Sequence, residues 1–175
     1  MASEFEIRKC CSRDSAVILD LYPKAFPDEE LRPLVAQLLV EKTDVLSLIA
    51  RVNQVIVGHA LFTICGVSDR REDVSLLGPL GVVPSYQRQG MGSAIVREGL
   101  RLLSNADVSS VYVLGDPNYY TRFGFLPEEQ VVPPYALPEE WFGAWQSLCL
   151  KELDQPLHGK LRVPPAWDQR TLWAP

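Results

Sequence analysis

The stretch Gln87-Arg88-Gln89-Gly90-Met91-Gly92 is the most informative part of this chain. It lies between an apolar run, residues 76–84, which is typical of a strand, and a helical pattern over residues 90–103. Backbone N–H groups at the start of a helix have no intrahelical partner, and the helix dipole adds partial positive charge there. Glycines allow an anion to approach the backbone closely. Strand, glycine-rich turn and helix together therefore predict a site for a phosphate group.

The length and composition predict a single globular domain. The chain has 175 residues, 47% of them hydrophobic and 22% charged, which is enough for one sizeable core and few for two. We expect one domain over residues 1–175, with a core of about residues 4–127 and a proline-rich C-terminal extension, residues 128–175, packing on it. The four tryptophans of the extension would either pack it onto the core, as we expect, or wall an acceptor pocket. They are Trp141, Trp145, Trp167 and Trp173.

The charge and the cysteines exclude several classes of function. A net charge of −5 argues against a nucleic-acid binder, which would need a basic face. The start of the chain lacks the features of a signal peptide, and no apolar run reaches the roughly 20 residues of a membrane helix. We therefore expect a cytoplasmic protein without a membrane partner. The four cysteines form no C-x-x-C pair, which argues against a metal or a disulfide framework.

The pattern of apolar residues predicts an α+β or α/β fold. Asn53-Gln54 is expected to form the turn of a hairpin, and Pro27 to open a second helix that runs to about Glu41. Strands are predicted at residues 5–9, 45–52, 55–65, 74–83, 108–114, 147–153 and 160–163, and helices at 12–25, 27–41, 90–103 and 117–122. Gly78, Pro79 and Gly81 interrupt the strand at 74–83, which marks a place where a ligand or another backbone comes close.

The phosphate-binding turn has three interpretations. A Walker-type loop needs a lysine followed by Ser or Thr after the glycines, and Gly92-Ser93-Ala94 contains no lysine. A dinucleotide fold needs a third glycine and a place directly after the first strand of a βαβ unit, and neither condition is met. The third interpretation, the pyrophosphate of coenzyme A, rests on a family resemblance.

Residues 80–94 closely resemble the Gcn5-related N-acetyltransferase (GNAT) family, whose pattern is Q/R-x-x-G-x-G/A. The matching positions are Val82, Pro84, Gln87, Gly90 and Gly92. A second family landmark follows, a tyrosine four residues before a Gly-Phe pair, here Tyr120 and Gly124-Phe125. Residues 115–120 further resemble the bacterial YhbS-like branch of the family. Two motifs at this spacing are far more specific than either one alone.

The resemblance implies a GNAT-like fold and an acetyl-CoA site. The fold would be a mixed, mostly antiparallel sheet splayed between its fourth and fifth strands, residues 74–83 and 108–114, with helices on both faces. The interrupted strand would hold the pantetheine arm like an added strand, and the glycine turn would hold the pyrophosphate. The cofactor-binding residues would be Gly81, Val82, Val83, Gln87, Arg88, Gln89, Gly90, Met91, Gly92, Ser93 and Asn118.

The resemblance also implies direct transfer of an acetyl group from acetyl-CoA to a primary amine. The amine must lose a proton before it attacks, and the departing thiolate gains one. Tyr120 aligns with the family tyrosine that donates this proton. The base is not identified, because the nearby acids, Glu72 and Asp73, precede or begin the fourth strand.

The acceptor and its recognition stay open. The sequence is compatible with a small-molecule or peptide amine, and with a monomer or a homodimer. Asp28, Glu29 and Glu30 would either attract a cationic amine or cap a helix. An alternative function is a non-catalytic acyl-CoA-binding or sensor module of the same fold; the presence of Tyr120 favours the enzyme.

Overall fold

A computed structural model describes residues 4–41 and 44–174 of the chain. Within these ranges it forms four α-helices and nine β-strands. The helices are α1 (Ser15–Ala25), α2 (Arg32–Val40), α3 (Met91–Asn105) and α4 (Pro117–Tyr120). The strands are β1 (Glu6–Lys9), β2 (Val45–Val52), β3 (Val55–Val67), β4 (Val74–Val82), β5 (Ser110–Leu114), β6 (Leu126–Pro127), β7 (Val131–Val132), β8 (Trp145–Cys149) and β9 (Gly159–Arg162).

The described residues divide into two compact units, each of which includes part of β3 and part of β4. The first unit contains the residues up to Thr63 together with Gly78–Arg101, and its strand order is β1-β2-β3-β4. The second unit contains Ile64–Leu77 and the residues from Leu102 onward, and its strand order is β3-β4-β5-β8-β6. The sheet is mixed and mostly antiparallel, as predicted, with β4 and β5 parallel.

In the first unit the predicted hairpin forms between β2 and β3. Asn53 and Gln54 both have positive φ, 47° and 71°, which is the backbone of a type I′ turn. This turn matches the twist of the strands that it connects, so it fixes the register that pairs Val52 with Val55. The antiparallel pairing continues along β2 as far as Val45, opposite Thr63.

Helices lie on both faces of this part of the sheet, as predicted. Side chains of β3 alternate between the two faces. On one face, Phe62 packs against Gly99 of α3, where the ring occupies the space that a larger residue would need. On the other face, His59 bonds to Tyr22 of α1. The sheet in the first unit is therefore enclosed between α1 and α3, which explains why β3 is buried along most of its length.

In the second unit, the parallel ladder between β4 and β5 is short. It pairs residues 75–77 of β4 with residues 111–113 of β5. The ladder ends at Leu77, whereas β4 continues to Val82.

The C-terminal residues supply strands and aromatic core to the second unit. Strand β8 pairs antiparallel with β5 along its whole length, and β6 pairs with β8. The Trp145 ring stacks on Tyr112 of β5, with centroids 5.7 Å apart. Trp145 also donates a hydrogen bond to the Val131 carbonyl oxygen, and Trp173 donates one to that of Trp167. These three tryptophans are buried, so they pack the C-terminal residues into the core of this unit.

The prediction of a helix from Pro27 to Glu41 was wrong at its start. Helix α1 ends at Ala25, a turn follows, and α2 begins only at Arg32. Pro33 favours this start: a proline lacks an N–H, and its ring clashes with the carbonyl four residues earlier, so it fits best in the first turn of a helix, where it lies in α2. Glu30 accepts a hydrogen bond from the Arg32 amide at 3.2 Å, so its carboxylate caps the start of α2.

Candidate functional site: a glycine loop before α3 and a tyrosine on α4

The end of β4 is shaped by the packing of Gly81. A Cβ atom on Gly81 would lie 3.2 Å from both Leu21 and Phe26, closer than most Cβ contacts, so a glycine suits the close approach of these side chains to the strand. Two backbone groups beyond it are already bonded inside the first unit. The Val83 amide donates to the Val57 carbonyl at 2.9 Å, and the Val82 carbonyl accepts from the Gln87 side chain at 2.8 Å.

The loop before α3 has an unusual backbone. Arg88 has φ of 60° and Gly90 has φ of 86°, so both residues adopt a left-handed conformation. A non-glycine residue held there costs of order 1–3 kcal/mol, and such strain is typical of ligand-binding loops. The Gln89 side chain donates to the Ser85 carbonyl at 3.2 Å, which ties the loop to the preceding turn. Gln87 and Gln89 therefore hold the loop in shape through their side chains.

The loop presents the start of α3. The Ala94 amide donates to the Gly90 carbonyl at 3.0 Å, which begins the helical ladder. The amides of Met91, Gly92 and Ser93 precede this bond and lie at the positive end of the helix dipole. The Met91 side chain is buried and anchors the helix start.

The space beside this helix start suits a phosphate. A Cβ atom on Gly90 would meet no atom within 4 Å, so the space beside the loop is open. The open space, the glycine backbone and the first-turn amides form a cradle that fits the pyrophosphate of a nucleotide such as coenzyme A.

Tyr120 and Asn118 lie together in the second unit, on the short helix α4. Asp116 caps this helix by accepting a hydrogen bond from the Asn118 amide at 2.9 Å. The Asn118 side chain is exposed, as are those of the loop residues Gln87 and Arg88. The structure thus groups the predicted residues in two sets. Residues 81–83 and 87–93 lie in the first unit, and Asn118 and Tyr120 in the second.

The Tyr120 ring is held by aromatic neighbours. It meets Tyr119 and Phe125 edge to face, with centroids 5.0 and 5.7 Å away. Burial above all, together with the negative charge of Asp116, raises the pKa of the Tyr120 phenol well above its ordinary value. The phenol therefore stays protonated at neutral and moderately alkaline pH, which is the form that a proton donor needs.

The acids and histidine near the sheet do not supply an obvious base. Arg70 lies 2.7 Å from Glu72 and, through this hydrogen bond, holds the pKa of the Glu72 carboxyl below its usual range. His59 is completely buried, and burial lowers its pKa to about 3. Its two ring nitrogens each lie 2.7 Å from a hydroxyl, those of Tyr22 and Ser47. His59 is therefore a neutral, fully bonded residue of the core.

Sequence reasoning missed Gln146, which bonds to the backbone of Gly115 beside Tyr120. Gln146 is fully buried in β8, and its side-chain amide donates to the Gly115 carbonyl at 3.1 Å. The signal for Gln146 was weak, because the predicted strand began one residue later, at Ser147. A buried amide opposite β5 becomes visible only when the pairing of β5 with β8 is known.

Among residues 4–41 and 44–174, His, Cys, Asp and Glu side chains form no group of three or more that could hold a metal ion. Over the same ranges, every helix is too short or too polar to cross a membrane.

The comparisons with known proteins identify the family. Residues 15–125 match the acetyltransferase (GNAT) family model. The chain is 33% identical over 156 residues to the uncharacterized N-acetyltransferase YjhQ of Escherichia coli strain K12, covering 85% of this chain and 86% of YjhQ. It is 32% identical over 107 residues to the uncharacterized N-acetyltransferase YhbS of the same strain, covering 59% of this chain and 60% of YhbS. The chain belongs to the GNAT acetyltransferase family.

Two solved structures share the architecture. The E. coli GNAT family N-acetyltransferase YhbS, crystallised in complex with CoA, superposes with a TM-score of 0.85 at 24% identity, covering 97% of this chain and 94% of that one. A GNAT family acetyltransferase from Brucella melitensis, in complex with acetyl-CoA, superposes with a TM-score of 0.76 at 28% identity, covering 94% and 99%. The fold predicted from the resemblance is confirmed.

Proposed function

We propose that the protein is an acetyl-CoA-dependent N-acetyltransferase that moves an acetyl group from the thioester directly to a primary amine. The observation that carries this proposal is the left-handed loop at Arg88 and Gly90, which opens the start of α3 to an anion. The Brucella melitensis relative solved with acetyl-CoA supports the choice of that anion.

The first unit would bind the nucleotide end of acetyl-CoA. The amides of residues 88–93 would hold the pyrophosphate, because they combine unpaired N–H groups with the positive end of α3. The strand segment Gly81–Val83 would bind the pantetheine arm. Since the Val83 amide and one lone pair of the Val82 carbonyl are already used, the arm would bond to the remaining backbone groups of this segment. Asn118, whose side chain is exposed, is proposed as a further cofactor-binding residue.

Tyr120 would act as the proton donor of the reaction. Acetyl-CoA supplies an activated acetyl thioester whose leaving group is a thiolate. Tyr120 holds a proton at Oη across the physiological pH range, because burial raises the pKa of its phenol. Glu72 is a weak base at neutral pH, because its pKa is lowered by Arg70. The proton of the acceptor ammonium would therefore leave through water.

The test is thiol release from acetyl-CoA across a panel of amines that includes small polyamines, amino sugars and peptides. The proposal expects release that depends on the amine and saturates with it. If the protein binds CoA but releases no thiol with any amine, the family fold here serves as an acyl-CoA-binding module, and the proposal is overturned.

A further inference from the structure

The Tyr120 ring lies directly against the backbone of Gly115. A Cβ atom on Gly115 would lie 2.5 Å from Cε2 of Tyr120 and 3.2 Å from its Cδ2. Such distances are well inside van der Waals contact, and the neighbour is a ring rather than the end of a flexible side chain. Any side chain at position 115 would therefore push the Tyr120 ring out of its place. The φ of Gly115 does not lie in the left-handed region, so the contact with Tyr120 is the steric reason for a glycine at this position.

Gln146 fixes the peptide that carries this glycine. Its Nε2 group donates to the carbonyl oxygens of Gly115 and Ala144, at 3.1 and 3.3 Å. The Gly115 amide in turn donates to the Ala144 carbonyl at 2.9 Å, which joins the end of β5 to the start of β8. Gln146 is completely buried, and its Oε1 atom has no hydrogen-bond partner within the described part of the chain. Among the described residues, the Gln146 side chain therefore bonds only through its nitrogen, to the carbonyls of Gly115 and Ala144.

We propose that Gly115 and Gln146 are positioning residues that hold the proton donor Tyr120 in its reactive orientation. This inference rests on the proposed function, because it assigns a purpose to the orientation of Tyr120. Gly115 provides the flat backbone surface on which the ring packs. Gln146 keeps that surface in place from the adjacent strand. Proton transfer depends steeply on geometry, so a displacement of about 1 Å lowers the rate by up to roughly 100-fold.

The geometry predicts that substitutions of Gly115 and Gln146 lower the rate of acetyl transfer more than the stability of the fold. Replacing Gln146 by methionine keeps the shape and removes a buried oxygen that has no partner, which offsets part of the loss at the two carbonyls. Replacing Gly115 by alanine disturbs one ring contact and no helix or strand hydrogen bond. We therefore expect both variants to fold and to bind CoA as the wild type does.

The experiment measures kcat and the KM for acetyl-CoA in Gly115→Ala and Gln146→Met, each in the wild-type and the Tyr120→Phe background. Gly143→Ala is the control for the first substitution, because a Cβ atom there meets nothing within 4 Å. Ser147→Ala is the control for the second. It removes a hydrogen bond of the next residue on β8, to Glu128, on the opposite face of the strand.

A readout independent of turnover is the titration of the Tyr120 phenol, followed by NMR of protein labelled at the tyrosine ring carbon that bears the hydroxyl. Tyr120→Phe assigns the signal. The wild-type signal is expected to titrate at a clearly higher pH than that of a free tyrosine, because burial raises the pKa of Tyr120. In Gly115→Ala the displaced ring becomes more exposed, and the signal is expected to titrate at a lower pH than in the wild type.

The outcomes separate the two proposals. We expect both positioning variants to lower kcat roughly 10- to 100-fold with the KM for acetyl-CoA within about twofold, and to cause no further loss in the Tyr120→Phe background. If Tyr120→Phe loses activity while Gly115→Ala and Gln146→Met keep theirs, or if their losses add to that of Tyr120→Phe, the positioning role is overturned and the acid role stands. If Tyr120→Phe itself keeps full turnover, the acid role fails.

Discussion

Replacing Gly90 is expected to abolish binding of acetyl-CoA at the proposed site. Its φ of 86° is unfavourable for any L-residue, and a side chain there would enter the open space beside the loop. We expect Gly90→Val to abolish the rise in Tm that saturating acetyl-CoA gives to the wild type, measured by thermal unfolding. Gly143→Val, at an exposed glycine with open surroundings, is the matched control. An undiminished rise in Tm for Gly90→Val would remove the pyrophosphate from this loop.

Single residues were proposed for the site from motifs whose members lie close together along the chain. Gln87, Gly90 and Gly92 form one short motif, and Tyr120 precedes its Gly-Phe pair by four residues. The contact between Gly115 and Gln146 was missed because it arises through strand pairing, at a separation of 31 residues. A pattern in the chain does not report such a contact, since it depends on which strands become neighbours.

His59 joins strand β3 to helix α1 through its buried hydrogen bond to Tyr22. Because this histidine is buried, we expect the packing of α1 on the sheet to be sensitive to acid. Burial lowers the pKa of His59 to about 3, below the value of about 6.5 for an unfolded chain. Between these two values the unfolded state binds a proton that the folded state excludes. The folded state therefore loses stability as the pH falls below 6.5, by up to about 1.4 kcal/mol per pH unit.

The measurement is urea unfolding at several pH values between 5 and 7.5. His59→Gln is expected to be less stable than the wild type at pH 7.5, and to show a shallower dependence of the unfolding free energy on pH. His158→Gln, at the exposed histidine, is the matched control. An unchanged slope in His59→Gln would show that His59 is not excluded from protonation in the folded state.

Element boundaries show where sequence reasoning held and where it failed. The β2–β3 hairpin was predicted correctly, because a two-residue turn between β-branched runs leaves few alternatives. The start of α2 was placed too early because the acidic run after Pro27 looked like a first helical turn. Pro33 was the residue to weigh against it, since a proline fits best in the first turn of a helix and Pro33 lies there in α2.

At the scale of the whole molecule, the C-terminal residues are part of a folded unit rather than an appendage. Trp173 is 1% exposed and meets the rings of Trp145 and Trp167. We expect Trp173→Ala to lower the free energy of unfolding by about 3–5 kcal/mol, the usual cost of removing a buried tryptophan. Chemical denaturation followed by circular dichroism measures this loss. Trp141→Ala, at a half-buried position, is expected to cost clearly less. Equal losses of unfolding free energy in the two variants would mean that Trp173 does not anchor the C-terminal residues.

The whole-molecule topology could be predicted only through the family resemblance. Strand order and the parallel pairing of β4 with β5 depend on contacts that are distant along the chain, and the apolar pattern alone was compatible with either an α+β or an α/β fold. The two-residue strands β6 and β7 were not predicted, because so short a pairing leaves no periodic pattern in the sequence.

Acetyl transfer to an amine is tested most directly by following the acetyl group itself. The protein is incubated with acetyl-CoA labelled in the acetyl carbon and with the amine that gives the fastest thiol release, and the products are separated. Our account predicts that the label is recovered on the amine, in equal amount to the thiol released. Recovery of the label as free acetate, with the amine unmodified, would contradict it.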